Sequence, residues 1–258
     1  MRRRKIRRPA GCVVHPTARL GRGVRCGVGC VIMEGVVIGE ETVLGAYVIV
    51  HPGTRLGRGV LVQDQAVLGK PPLATGSAGS SRRCTETFRP LVVGDRVTIG
   101  TGVICYSHAV IGDDAWLADR AIVREGVVVG SNVRIGKQTI IEYEATVGRG
   151  SRIQAFTLIG ERMVVEEDVF IGPHVVTVCD RDMKRAGDQV LAPCVKRRAR
   201  IGGQSVLAPG VTVGVDALVL AVSVVVRDVP DHAVVGGHPA RPTKAIRTFH
   251  RSEPGRPG

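Results

Sequence analysis

The chain has 258 residues, 34 of them glycine and eight of them aromatic, and 44% of it is hydrophobic. That excludes a disordered chain, which is poor in β-branched residues, and collagen, which needs glycine at every third position. The net charge of +13 is uneven, with six positive charges on Arg2, Arg3, Arg4, Lys5, Arg7 and Arg8, which leaves +7 for the rest.

Residues 1–11 read as a basic, disordered tail, and no apolar leader follows them. No apolar run reaches the ~20 residues of a membrane span, so none is expected. Seven cysteines without a CxxC pair favour neither a disulfide framework nor a zinc ribbon, which points to a reducing, cytoplasmic setting.

From Val14 onward every sixth residue is apolar: Val14, Leu20, Cys26, Ile32, Ile38, Leu44, Val50, Leu56, Val62 and Leu68. The next position is often glycine, as in Gly21, Gly27, Gly39, Gly45 and Gly57, and is read as serving a turn of unusual φ. Four residues past each frame position the side chain is small or β-branched, as in Ala18, Thr42, Val48 and Ala66. A period of six matches neither a helix of 3.6 nor an alternating strand. Each unit is a short strand plus a turn; three units close one triangular coil, and coils stack as parallel strands. The predicted fold is therefore all-β, a parallel β-helix of about ten coils.

Lys70 to Pro90, with Pro71, Pro72 and a Gly/Ser-rich run, leaves the frame as a first loop. The frame resumes at Val93 and continues through Ile171 to Thr177, a polar frame residue. A second loop is predicted at about 179–195, because Met183 and Gln189 would otherwise fall at buried positions. A last block runs from Ile201 to Val225. One domain over 12–240 is followed by a short C-terminal extension, 241–258, with a short helix at 245–250.

The hexads, the closing stretch Arg227-Asp228-Val229-Pro230 and Gly237-His238-Pro239-Ala240-Arg241 resemble the left-handed β-helix (hexapeptide-repeat) acyltransferase superfamily. Leu68-Gly69-Lys70-Pro71-Pro72, Ala118 to Glu125, Ile141-Glu142-Tyr143, Ile153-Gln154-Ala155 and Phe170-Ile171-Gly172-Pro173 are most similar to dTDP-amino-sugar N-acetyltransferases. The resemblance implies a left-handed coil, a homotrimer with active sites between subunits, and acetyl-CoA as donor. It also implies acetylation of the amine of a dTDP- or UDP-linked amino-deoxy sugar, with no nucleic-acid partner. Members of the closest type use the leaving thiolate to take the amine proton, so an obvious catalytic histidine is not expected.

Three side chains are nonetheless singled out as proton acceptors: Glu142, His108 and His174. For the acceptor, the resemblance points to Asp119, Arg124, Glu125, Tyr143, Gln154 and Asp180. For the donor it points to Lys196, Arg197, Arg198, Ala208, Ala221, Ser223 and Arg241, cations serving the CoA phosphates. Two departures stand out. Val178-Cys179 precedes Asp180 where the family has Thr-Asn, and Leu220-Ala221-Val222-Ser223 replaces Gly-Ala-Gly-Ser, so that Val222 either narrows the thioester groove or marks a drift in CoA use. No two histidines are five apart, as a zinc-dependent carbonic anhydrase of this fold would require, so no metal is expected. The rival readings are a non-catalytic β-helix scaffold and an O-acyltransferase of another small acceptor.

Overall fold

The computed structural model describes residues 11–72, 89–180 and 190–243. Among the described residues 33 short strands form three sheets of 11, 10 and 12 strands, parallel except for the last strand Arg241–Pro242, and these are the flat faces of a triangular prism. Up to Val224–Val225 successive strands belong to the first, second and third face in turn, and each pairs with the strand one coil on. Within the uninterrupted run the register is eighteen residues, as in Ile122↔Ile140 and Val123↔Ile141. Eleven strands on the first face make eleven coils, one more than the sequence reading counts. At the ~4.8 Å strand spacing the prism is about 50 Å long.

The frame residues are the core. Ile38, Leu44, Leu68, Ile99, Ile135, Ile141 and Ile171 are all buried, and Val36, Val48 and Ala66 fill the layer between them. The polar frame residue Thr177 is buried because its hydroxyl is fully used: Oγ1 accepts from Gly160 N at 2.6 Å and donates to Leu158 O at 3.0 Å. Buried hydroxyls at the filling position follow a similar logic. Thr42 donates to Gly57 O (3.0 Å), Thr139 to Gln154 O (2.9 Å) and Ser151 to Glu166 O (2.8 Å). Each thereby ties one coil to the corner of the next.

The role of glycine differs from the sequence reading. The left-handed residue of the turn sits three positions after the frame residue, where Glu41, Arg96, His108 and Phe156 all adopt φ near +60°. The glycine directly after the frame residue is there for space. A Cβ on Gly136 would lie 2.3 Å from Ala155 N and 2.5 Å from Gln154 C, both backbone atoms of the next coil. Gly136→Ala is therefore expected to cost about 1–3 kcal/mol, the range for overpacking, read as a lower midpoint in chemical denaturation.

Two loop boundaries move. Lys70 belongs to the strand Val67–Lys70, and the chain re-enters the frame at Cys194–Val195, with Val195 fully buried. The parallel repeat ends before Arg241, as expected, and Arg241–Pro242 turns back antiparallel onto Val234–Gly236. The basic tail, Met183, Gln189 and the expected helix at 245–250 lie outside the described residues.

Both breaks in the strand succession fall at the same corner. The first separates Val67–Lys70 on the first face from Val92–Val93 on the second. The second separates Val176–Thr177 on the first face from Cys194–Val195 on the second. The corner between the first and second faces is thus interrupted at coils four and nine, and coils five to eight lie between.

Candidate active site

At the other two corners glycine predominates after the frame residue. At the first corner, between the first and second faces, this position instead carries Tyr106, Arg124 and Glu142 on three successive coils. The following position carries Ser107, Glu125, Tyr143 and Glu161. Eighteen-residue stacking therefore builds a polar ladder between the two chain excursions.

Glu125 is its anchor. It is 3% exposed and holds Arg124 through two bonds, Nε to Oε2 at 2.8 Å and Nη2 to Oε1 at 2.9 Å. Arg124 in turn reaches Glu142 (Nη1 to Oε2, 3.3 Å) and lies 5.1 Å from the Tyr106 ring centroid. Burial raises the pKa of Glu142, opposed by the Arg124 charge and reinforced by Glu125. One coil on, the Tyr143 hydroxyl donates to Glu161, and burial together with that bond pushes the phenol upward.

His108 occupies the same corner, but its Nε2 accepts the backbone N–H of Arg89 at 2.9 Å. That bond pins the returning end of the first excursion and occupies the lone pair a base would use. Burial, then the Arg89 charge, lowers its pKa, with Glu125 opposing. Asp180 also lies at this corner, as the last described residue before the second excursion.

The remaining candidates lie elsewhere. His174, stacked on Phe156 with centroids 4.9 Å apart, Gln154 and Asp119 are at the corner between the third and first faces. Asp119 accepts the backbone N–H of Thr101 at 2.9 Å, a coil-to-coil cap also made by Asp64, Asp95 and Asp113, so within one chain it does not join Arg124 and Glu125. Lys196, Arg197 and Arg198 form part of the corner between the second and third faces. Lys196 pairs with Glu166 at 3.0 Å and Arg198 with Asp216 at 2.6 Å, so neither cation is without a carboxylate. Ala208 sits at the first corner in coil ten, Ala221 at the third, and Arg241 is exposed on the last strand.

Ser223 lies inside the prism. It is fully buried, donating to Leu220 O at 2.7 Å and accepting from Gly237 N at 3.2 Å, so its hydroxyl faces the prism interior rather than a ligand. Val222 is 64% exposed at a left-handed φ of 58°, a position that disfavours a β-branched side chain. Among the described residues no group of three His, Cys, Asp or Glu side chains could hold a metal ion, and no helix is long and apolar enough to cross a membrane.

The family profile of the bacterial transferase hexapeptide (six repeats) matches residues 35–70 and 108–143, spans that contain Lys70, Arg124, Glu125, Glu142 and Tyr143. Both matched segments carry the six-residue repeat that the profile describes. Among solved structures it is similar to the Arabidopsis UDP-N-acetylglucosamine acyltransferase, with a TM-score of 0.63 and 21% identity over 91% of this chain and 72% of that one. The corresponding Francisella novicida enzyme gives 0.51 and 17% over 91% and 69%. These establish the fold, the left-handed parallel β-helix.

Two curated relatives match in sequence. One is the dTDP-3-amino-3,6-dideoxy-alpha-D-galactopyranose 3-N-acetyltransferase of Aneurinibacillus thermoaerophilus, 51% identical over 47 residues, which are 18% of this chain and 24% of that protein. The other is a Saccharomyces cerevisiae protein described as an acetyltransferase, 30% identical over 93 residues, 34% of this chain and 47% of that one. The chain thus spans less than half the length of either relative.

Proposed function

We propose that this protein is an acyltransferase that moves the acetyl group of acetyl-CoA to the amine of a nucleotide-linked amino-deoxy sugar. The observation that carries the reading is the first corner. There a half-buried carboxylate with a raised pKa, Glu142, is held by a guanidinium that is itself fixed by a buried carboxylate. The two sequence relatives, both described as acetyltransferases and one acting on a dTDP-amino sugar, support it.

The chemistry is simple in outline. The neutral amine attacks the thioester carbonyl, the C–N bond forms and the C–S bond breaks. Glu142 accepts the proton the nitrogen loses and returns it to the departing thiolate, releasing CoA as a free thiol. A raised carboxylate pKa favours this role, because it brings the base nearer the operating pH. Arg124 keeps the carboxylate oriented and limits how far its pKa rises.

The first face supports a trimer. Each of its eleven strands points an aliphatic side chain outward, from Val13 and Val31 to Val206 and Val224. Packing this face against another copy removes apolar surface from water. The corners on either side of it carry Glu142 and, on the other edge, Gln154 and His174, so a groove between copies draws on both sets. Donor phosphates are assigned to Arg197 and Arg241, whose guanidinium groups have no carboxylate partner among the described residues.

Calorimetric titration with acetyl-CoA tests the donor side. The reading predicts saturable binding, whereas a non-catalytic scaffold gives no binding heat.

A further inference from the structure

The strand Val67–Lys70 breaks the repeat in one respect. Val67 and Leu68 pair in register with Ile104 and Cys105, but Tyr106 then pairs with Lys70 instead of Gly69. One extra residue has been inserted, a β-bulge, and Gly69 takes a φ of 77° to make it. No other residue fits there, since a Cβ on Gly69 would lie 2.1 Å from Thr54 Oγ1.

The bulge has a cost. By the pattern of Thr42 and Gly57, Thr54 should donate to the carbonyl of Gly69, fifteen residues on. Instead Thr54 Oγ1 is buried without a partner. The other buried orphan among the described residues is Ser107 Oγ, whose own backbone N–H bonds Lys70 O at 2.9 Å. Both orphaned hydroxyls therefore border the same bulge. A buried hydroxyl without a partner is destabilising, and such defects concentrate at functional sites.

What the bulge achieves is the placement of Lys70. Its Nζ lies 5.2 Å from the Tyr106 ring centroid, on the ring that Arg124 also approaches at 5.1 Å. The charge of Arg124 is matched by Glu125 and Glu142, whereas Lys70 has no carboxylate partner among the described residues. The nearby His51 is driven toward its neutral form, by burial first and then by Lys70. One uncompensated cation is thus left at the foot of the ladder that ends in Glu142. Towards the N-terminal end the same corner opens into an apolar cleft of about 310 Å3, lined by Val13, Val31, Met33 and Pro52 among others.

We propose that Lys70, with Tyr106 beside it, is the phosphoryl-binding subsite for the acceptor. The diphosphate sits on Lys70, the nucleoside points toward the apolar cleft, and the sugar amine points up the corner toward Glu142. This rests on the acetyltransferase reading and specifies which residues hold its acceptor. CoA also carries phosphates, so both sources have to be measured.

The test is calorimetric titration of dTDP and, separately, CoA into the wild type, Lys70→Ala and Lys70→Arg. Loss of a charge-assisted hydrogen bond predicts dTDP binding about 10- to 100-fold weaker in Lys70→Ala, largely restored in Lys70→Arg, with CoA affinity unchanged. The proposal is overturned by unchanged dTDP affinity in Lys70→Ala, by a loss that falls on CoA as much as on dTDP, or by a wild type that does not bind dTDP. Failure of the acetyltransferase reading looks different: no thiol is released from acetyl-CoA with any amino sugar, whatever dTDP does.

Discussion

Replacing Glu142 by glutamine is expected to lower kcat/KM by about 10²–10⁴-fold while leaving the β-helix intact, because the amide keeps the shape but cannot accept the amine proton. The pH profile gives a second reading of the same residue. Glu142 works deprotonated, and burial raises its pKa, so kcat/KM falls as pH drops through that raised value. The acid limb of the wild type therefore lies above the ordinary glutamate range of about 4.3. Arg124 opposes the rise, so Arg124→Gln moves the Glu142 limb to still higher pH, and in Glu142→Gln the residual rate keeps only the limb set by protonation of the substrate amine. Rates measured against pH for the three proteins decide the matter. An unchanged acid limb in Glu142→Gln assigns the proton transfer to another group.

Glu125→Ala is the substitution expected to damage the fold most among the site residues. Glu125 is 3% exposed and Arg124 23% exposed, so removing the carboxylate leaves a largely buried guanidinium without its main partner. Breaking such a pair costs about 3 kcal/mol, at the low end of the usual range because Arg124 retains some contact with water. Urea denaturation of the purified variant reads this directly. The activity should fall as well, since Arg124 loses the two bonds that aim it at Glu142. A stability change within about 0.5 kcal/mol of zero would mean that the pair is freely solvated.

The repeat made the fold legible. A phase held across Val14 to Leu68, and again from Val93, specifies which side chain enters the prism at every step, and the buried residues follow it. The candidate site was legible only in part. Within one chain Arg124, Glu125, Glu142 and Tyr143 share a corner, whereas Gln154, Asp119 and His174 stand at the other edge of the first face. The signal that separates them is stacking by eighteen: 106, 124 and 142 share a corner, whereas 142 and 154 differ by twelve residues and cannot. Tyr106 and Lys70 were missed for different reasons. Tyr106 needed that same corner arithmetic. Lys70 needed the bulge, and Gly69 looks in the sequence like any other glycine after a frame residue. The engagement of Lys196 by Glu166, thirty residues away, was hidden by the excursion between them.

The most direct measurement is transfer itself. The purified protein is incubated with acetyl-CoA and a panel of dTDP- and UDP-linked amino sugars, with free thiol and product mass followed together. The account predicts thiol release that depends on the amino sugar, matched by one acetyl group gained on its amine. Release of no thiol with any amine-bearing nucleotide sugar, or acetylation of a hydroxyl in its place, would contradict it.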